Sequence, residues 1–461
     1  MLLLLYRQTP ACACRCAIDM TLTRSRAQAS ETGKNYVLEA RLDLGAATLP
    51  SDSLTTERAF GAAATAPAQG LDASLPEVSE NHKGPVGVLQ VPSRLLMGPG
   101  PANAYPRVLA AQSLPLLGHM HPPFFKIMDE IQEGLKYLFQ TDLGNTLLIS
   151  GTGHAGMEAC IANCIEPGEK IVVGNNGIWG MRVADLAERY GGDVIELKQA
   201  PGKSFSYKEL KAAIEKNKPA ALFLCQGESS TGVYQNLEGI GELCQKNGTL
   251  LIVDTVCSLG GVPFFADAWG IDCSYSGSQK CLSAPPGAAP LYLNQRTLEK
   301  IQNRKTKVAT YNLDLNLVGD YWGLFGKRWY HHTGMVSTWY AMREALAISS
   351  EEGLKEQWLR HENMHHMLWD GLKSMGLKSF VENDSERLIT VNTITVPEGV
   401  DWAAVIKNAM DKYSVEISGG LGGTAGKVWR VGLMGYNAQP AKVELVLAAF
   451  RDGLKQQGKL K

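Results

Sequence analysis

Two side chains in this sequence have the types and surroundings for carbonyl chemistry. The apolar run Leu250-Leu251-Ile252-Val253 ends in Asp254. That puts a carboxylate at the C-terminal edge of a buried strand, the edge where open α/β sheets bind ligands. Further on, Tyr275-Ser276-Gly277-Ser278-Gln279-Lys280 and Ala284-Pro285-Pro286-Gly287 leave small and hydroxylated residues around a single lysine. A lysine in a confined site can lose its proton and form a Schiff base. An acid and a lysine are also the two protein groups that pyridoxal phosphate needs, one for its ring nitrogen and one for its aldehyde. The plain alternative is a buried Asp capping a loop and a solvated Lys.

A third feature lies upstream. Gly151-Thr152-Gly153-His154-Ala155-Gly156 fits G-x-G-x-x-G between a strand and a helix, the pattern of a dinucleotide turn. That reading requires an acid at the end of the next strand to hold a ribose hydroxyl. Here the next strand ends Val173-Gly174-Asn175-Asn176, so the nicotinamide reading weakens. A Gly-rich turn feeding a helix N-terminus can still hold a phosphate through its backbone N–H groups.

Two metal patterns are weaker. His361-Glu362-Asn363-Met364-His365 fits H-E-x-x-H on a helix. Its neighbours mix Arg360 and His366 with Leu359 and Met367, and nothing singles out the rigid support a zinc site needs. The expectation is a helix that leaves chance histidines in solvent, with no metal. Cys12, Cys14 and Cys16 are close together, but no partner follows at ligand spacing. The remaining seven of the ten cysteines sit in apolar or Gly-rich contexts, which suits free thiols packed as small hydrophobes.

The elements that position these residues begin near residue 90. A Pro/Gly turn, Met97-Gly98-Pro99-Gly100-Pro101, opens them. Helical spacing of Phe124, Ile127, Met128, Ile131, Leu135 and Leu138 predicts a helix over His121–Phe139. Strand-like runs at Thr146–Ser150, Lys170–Val173, Ala220–Cys225 and Thr249–Asp254 alternate with helical stretches from His154 and near Gly180–Tyr190. That alternation predicts an α/β fold with a mostly parallel sheet. After Met335 come long helices, then strands at Leu388–Val396 and Lys427–Leu433. The expected division is a large domain over 86–335 and a smaller α+β domain over 336–461.

The chain has 461 residues, with 45 Lys+Arg against 46 Asp+Glu. No global field draws it to nucleic acid or an anionic membrane, and no apolar run approaches the ~20 residues that span a bilayer. Residues 1–30 hold Arg7, Arg15, Arg24 and Arg26, with Asp19 as the one acid and no lysine. That composition reads as a mitochondrial transit peptide. Residues 31–85 read as a linker or poorly ordered arm. The ending Gly458-Lys459-Leu460-Lys461 is not a peroxisomal S-K-L type signal.

Taken in order, these segments carry a resemblance. Asp254-Thr255-Val256-Cys257-Ser258-Leu259-Gly260-Gly261 and Ser276-Gly277-Ser278-Gln279-Lys280 resemble the core of the class V aminotransferases of fold type I. The match is closer still to the alanine–glyoxylate (serine–pyruvate) aminotransferases. The segments Leu96–Pro101, Ser150–His154, Asn176–Gly180, Gly227–Gly232 and Tyr330–Thr333 resemble that family too. Several ordered motifs are specific in a way that one is not.

The resemblance implies roles. Lys280 would carry pyridoxal 5'-phosphate and move a proton between the substrate Cα and the cofactor, while Asp254 keeps the ring nitrogen protonated. Trp179 would stack on the ring, and Ser229 would bond near it. Thr152, Gly153, His154 and Gln279 would sit at the phosphate end. Tyr330 and Thr333 would reach the phosphate of a neighbouring subunit, which implies a homodimer with shared sites. Arg430 would grip a substrate α-carboxylate, and Gly98 would wall the substrate. The implied reaction moves the amino group of alanine or serine to glyoxylate or pyruvate by a ping-pong route. The implied location is the mitochondrial matrix, with the peroxisome or cytoplasm as alternatives. Competing readings are a transaminase for 3-hydroxykynurenine or kynurenine, a cysteine desulfurase, a nicotinamide-dependent dehydrogenase and a silent binding protein. No cysteine follows Cys281, which argues against the desulfurase.

Overall fold

The computed structural model describes residue 81 and residues 84–460. The stretches read as a transit peptide and arm, and the cluster Cys12/Cys14/Cys16, lie outside the described residues but for Asn81, Gly84 and Pro85. The chain divides into two units, Met1–Val88 and Leu89–Lys461. Of the first, residues 84–88 are exposed and form no helix or strand.

The centre of the second unit is a seven-stranded sheet. In spatial order the strands are Asn145–Ser150, Ala288–Leu293, Cys273–Tyr275, Leu250–Asp254, Ala221–Cys225, Lys170–Asn175 and Asp193–Lys198. Ala288–Leu293 runs antiparallel to both neighbours, and the other pairings are parallel. Ala221–Cys225 and Leu250–Asp254 are buried at every position, as strands covered on both faces must be. That is why their sequences are continuous apolar runs and do not alternate. The edge strand Asp193–Lys198 is half exposed and mixed in character.

Helices cover the faces. Pro122–Phe139 begins with proline at its first position and buries Phe124, Met128, Ile131, Leu135 and Leu138. Proline is pre-set for that position because its missing N–H has no helical partner there. The helix packs on Val336–Glu352, with Phe124 stacked on Trp339 at 5.6 Å between ring centroids. Gly153–Cys164 and Ile178–Arg189 start at the C-terminal ends of the strands Asn145–Ser150 and Lys170–Asn175. Their N-termini therefore face the sheet edge that carries Asp254.

A second, antiparallel sheet has the order Lys378–Ser379, Val391–Thr395, Val428–Gly432, Ser418–Gly419. Its apolar core takes in Trp429, Val431, Phe450 and Leu368, and also Met97 from far upstream. Leu95–Leu96 pairs in parallel with Val415–Glu416 as a separate two-stranded sheet. Beyond it the Gly432 amide donates to the Met97 carbonyl and the Ala102 amide to the Gln279 carbonyl, so the Pro/Gly turn at 97–101 runs from the second sheet toward the first. Among the described residues, no helix is long and apolar enough to cross a membrane. The seven described cysteines are all free and buried.

Candidate active site

Three strand ends converge on one pocket. Thr152, Gly153 and His154 come from the turn after Asn145–Ser150, Asp254 ends its own strand, and Gln279 and Lys280 follow Cys273–Tyr275. All six line a pocket of about 530 Å³, with Trp179, Met157, Gly227, Val256 and Cys257 completing it. The residues read from the sequence as phosphate turn, acid and lysine are thus brought together.

Asp254 is almost wholly buried. One carboxylate oxygen accepts the Val256 amide at 2.7 Å, and the other accepts the Tyr275 hydroxyl at 2.6 Å. Burial raises its pKa to about 6, against the opposing pull of those two donors and of the Lys280 charge. A buried carboxylate in this state is stabilised by any cation placed beside it. Lys280 donates its Nζ hydrogen to the carbonyl oxygen of Pro99. Gly100 has φ +118°, and a Cβ there would lie 2.6 Å from Lys280 Cδ. The turn at 97–101 thus closes over the lysine at a position only glycine can fill.

The helix Gly153–Cys164 has no side-chain cap. Its first amides, Gly153 and His154, have no hydrogen-bond partner among the described residues, so they remain free for an anion. Burial lowers the His154 pKa, and the Arg182 charge adds to the effect. Among the described residues, the side-chain oxygen of Gln279 is buried without a partner. Trp179 is fixed at both ends: its indole N–H donates to Ser229 Oγ at 2.8 Å, and its backbone N–H donates to Glu228 Oε2 at 3.1 Å.

Arg430 is buried, and among the described residues it makes no ion pair. Its Nη1 donates to the Ser229 carbonyl at 3.0 Å and its Nε to the Gly419 carbonyl at 2.8 Å. Burial lowers its pKa from the ordinary arginine value. Gly98 lies against Ser418, the register partner of Arg430. Neither Arg430, Gly98 nor Ser229 lines the pocket itself. Tyr330 and Thr333 do not line it either, and both are exposed.

The H-E-x-x-H expectation needs correction. His361 and His365 are not in solvent: both are buried. His361 Nδ1 donates to the Gln357 carbonyl at 2.6 Å, and its Nε2 accepts the Gly435 amide at 2.9 Å. His365 Nδ1 bonds to Asn392 Oδ1 at 2.7 Å. Glu362 and His366 face outward. The helix therefore uses its histidines as core hydrogen-bonding groups: His361 is held between its own preceding turn and the Gly435–Asn437 turn, and His365 bonds to the strand Val391–Thr395.

Sequence reasoning missed Tyr275 as a ligand of Asp254, Gly100 and Glu228. Tyr275 sits directly opposite Asp254 in register, so the strand pairing was the signal. Glu228 carried no signal beyond its place in a quoted motif.

The chain matches known proteins over most of its length. Residues 104–444 match the family described as Aminotransferase class-V. It is similar to alanine–glyoxylate aminotransferase of Drosophila melanogaster, 49% identical over 80% of this chain and 94% of that one. It is similar to (S)-ureidoglycine–glyoxylate transaminase of Bacillus subtilis, 36% identical over 78% and 91%. The solved alanine–glyoxylate aminotransferase from Nostoc sp. superposes with a TM-score of 0.80 at 47% identity, over 82% of this chain and all of that one. Enzymes of this family use pyridoxal phosphate, and the residues present fit it. An amine, a buried carboxylate awaiting a cation, an indole face, an unpartnered amide group and two free helix amides surround one cavity. Fold, motifs and donor set agree: the chain belongs to the class V aminotransferases, which are pyridoxal-phosphate enzymes.

Proposed function

We propose that this enzyme moves the amino group of L-alanine, or L-serine, to glyoxylate, or pyruvate, so that alanine leaves as pyruvate and glyoxylate leaves as glycine. The observation that carries the reading is the shared pocket of Lys280 and Asp254. Relatives named for glyoxylate transamination in distant organisms support the acceptor. When bound, pyridoxal phosphate supplies a ring that takes up the electron pair released at the substrate Cα.

In this reading Lys280 would hold the cofactor through its Nζ, and that amine would carry the proton between the substrate Cα and the cofactor in each half-reaction. Asp254, held by Tyr275 and Val256, keeps the proton on the ring nitrogen. Trp179 covers the ring face, with Ser229 steadying the indole. Thr152, Gly153, His154 and Gln279 take the phosphate at the helix N-terminus. Tyr330 and Thr333 serve the site of a second copy, which makes the enzyme a homodimer. Among the described residues Arg430 Nη2 has no partner, which leaves it for the substrate α-carboxylate, and Gly98 limits the space beside it. The same reading divides the chain at residue 335 into cofactor-binding and smaller domains, and places the enzyme in the mitochondrial matrix on the composition of residues 1–30.

The test is a visible absorption spectrum of the purified enzyme, with L-alanine and then glyoxylate added. The band of the lysine-bound cofactor should bleach with alanine and return with glyoxylate. A band that ignores alanine and responds to 3-hydroxykynurenine would move the substrate. No band after incubation with pyridoxal phosphate would overturn the cofactor site.

A further inference from the structure

Glu228 is a fully buried carboxylate that the reaction above does not use. Its Oε1 accepts the Ser230 amide at 2.8 Å and the Ser230 hydroxyl at 2.6 Å. Its Oε2 accepts the Trp179 amide at 3.1 Å. Ser230 Oγ in turn accepts the Ile178 amide at 3.1 Å. The helix Ile178–Arg189 has glycine at its N-cap and no side-chain cap of its own. Its first two amides are instead satisfied from another segment by Glu228 and Ser230. A carboxylate is suited to this place, since a helix N-terminus carries partial positive charge.

The space is reserved for it. A Cβ on Gly177 would lie 2.6 Å from Glu228 Oε2. The residue between the two caps, Ser229, holds the Trp179 indole through its hydroxyl and Arg430 through its carbonyl. Glu228 and Ser229 thus fix the backbone of Trp179, its ring and the guanidinium, while Ser230 holds Glu228 and the Ile178 amide.

We propose that Glu228 is a positioning residue, which caps the helix bearing Trp179 and thereby sets the indole against the cofactor pocket. The inference rests on the reading of Trp179 as the wall of that pocket. Burial raises the Glu228 pKa to about 7, against the Ser230 and Trp179 donors. Burial therefore outweighs the bonds that Glu228 accepts, which offset only part of its desolvation.

The test compares Glu228→Gln, Trp179→Ala and the double variant with the wild type. In Glu228→Gln the side-chain oxygen can keep both Ser230 bonds, which turns an NH2 donor toward the Trp179 N–H. Two quantities are read: the equilibrium affinity of each apoprotein for pyridoxal phosphate, and the visible circular dichroism of the bound cofactor. Glu228→Gln should weaken affinity tenfold or more and change the dichroic band. In the Trp179→Ala background the same substitution should change affinity less than threefold, because its effect passes through the indole. Equal losses in both backgrounds, or an unchanged band and affinity, would overturn the proposal. If Glu228→Gln does not fold, Ser230→Ala takes its place in the cycle. If neither folds, the carboxylate is a folding element and the assignment falls. A wild type that fails to bind the cofactor would refute the underlying reading instead.

Discussion

Gly177 and Glu228 share one small volume: a Cβ at residue 177 would stand 2.6 Å from the Glu228 Oε2 that receives the Trp179 amide. Gly177 has φ 179°, which is extended backbone open to any residue. Glycine is therefore required here by the neighbouring carboxylate and not by the torsion. Gly177→Ala should destabilise the protein by about 1–3 kcal/mol, the usual range for overpacking. Chemical denaturation would measure it. Gly177→Ala combined with Glu228→Ala should recover part of the steric loss, and strict additivity would remove the steric explanation.

Gly100 faces Lys280 in the same way, but with φ +118° it is also closed to side chains by its backbone. Gly100→Ala must either push the lysine aside or move the turn at 97–101. A displacement of about 1 Å at a reacting group can cost ~10²-fold in rate. We expect kcat to fall by about that factor while the far-ultraviolet spectrum stays native. Retained kcat would mean that the lysine is not held by this turn.

Asp254 gives a pH test with a defined sign. Its pKa is about 6 in the folded apoprotein and about 3.8 when unfolded. Between those values the folded state binds more protons, so this group's contribution to stability falls as pH rises. Roughly two pKa units correspond to about 3 kcal/mol. The stability of apo Asp254→Asn relative to apo wild type should therefore be more favourable at pH 7.5 than at pH 4, by about that amount. A difference that does not vary with pH would show that the carboxylate is not desolvated.

His361 has the opposite sign. Burial, with Arg360 adding, lowers its pKa to about 3. Between about 3 and 6.5 the unfolded state binds more protons, so its contribution is present above 6.5 and lost as pH falls. His361→Gln should cost about 1–3 kcal/mol at pH 7.5, since it leaves a buried polar partner unsatisfied. It should also flatten the decline of stability below pH 6. Activity per folded enzyme should be unaffected, whereas loss of activity with a native fold would reopen the metal reading.

The contrast between Asp254 and His361 shows what the sequence could reveal. The place of Asp254 in the pocket was legible because it follows from local order, an acid closing an apolar run at the ligand-binding edge of a sheet. Lys280 was legible from the small residues around it. His361 was misread because its partners, Gln357 and Gly435, include one from a distant segment that no helical spacing encodes. The strand Ala288–Leu293 was passed over because Pro290 breaks the strand pattern. Asp193–Lys198 was passed over because an edge strand keeps its polar residues. Glu228 escaped because a buried carboxylate and an exposed one read alike until something is seen to cover it.

The last prediction concerns Tyr330 and Thr333. Both are exposed on the chain and away from the Lys280 pocket, although Tyr330 packs 5.6 Å from the His119 ring. If they serve the site of a second copy, a defect in them and a defect in Lys280 lie in different sites of a mixed dimer. One site of such a dimer carries both defects and the other carries neither. Lys280→Ala and the double variant Tyr330→Ala/Thr333→Ala should each be nearly inactive as homodimers. After equimolar unfolding and reassembly, half of the dimers are mixed and each has one intact site. About a quarter of wild-type activity should therefore return by random pairing. If each pocket is complete within one chain, mixing restores nothing, because every Lys280→Ala chain lacks its amine and every partner chain lacks its phosphate contacts. The size of the recovered activity thus reports which chain Tyr330 and Thr333 serve.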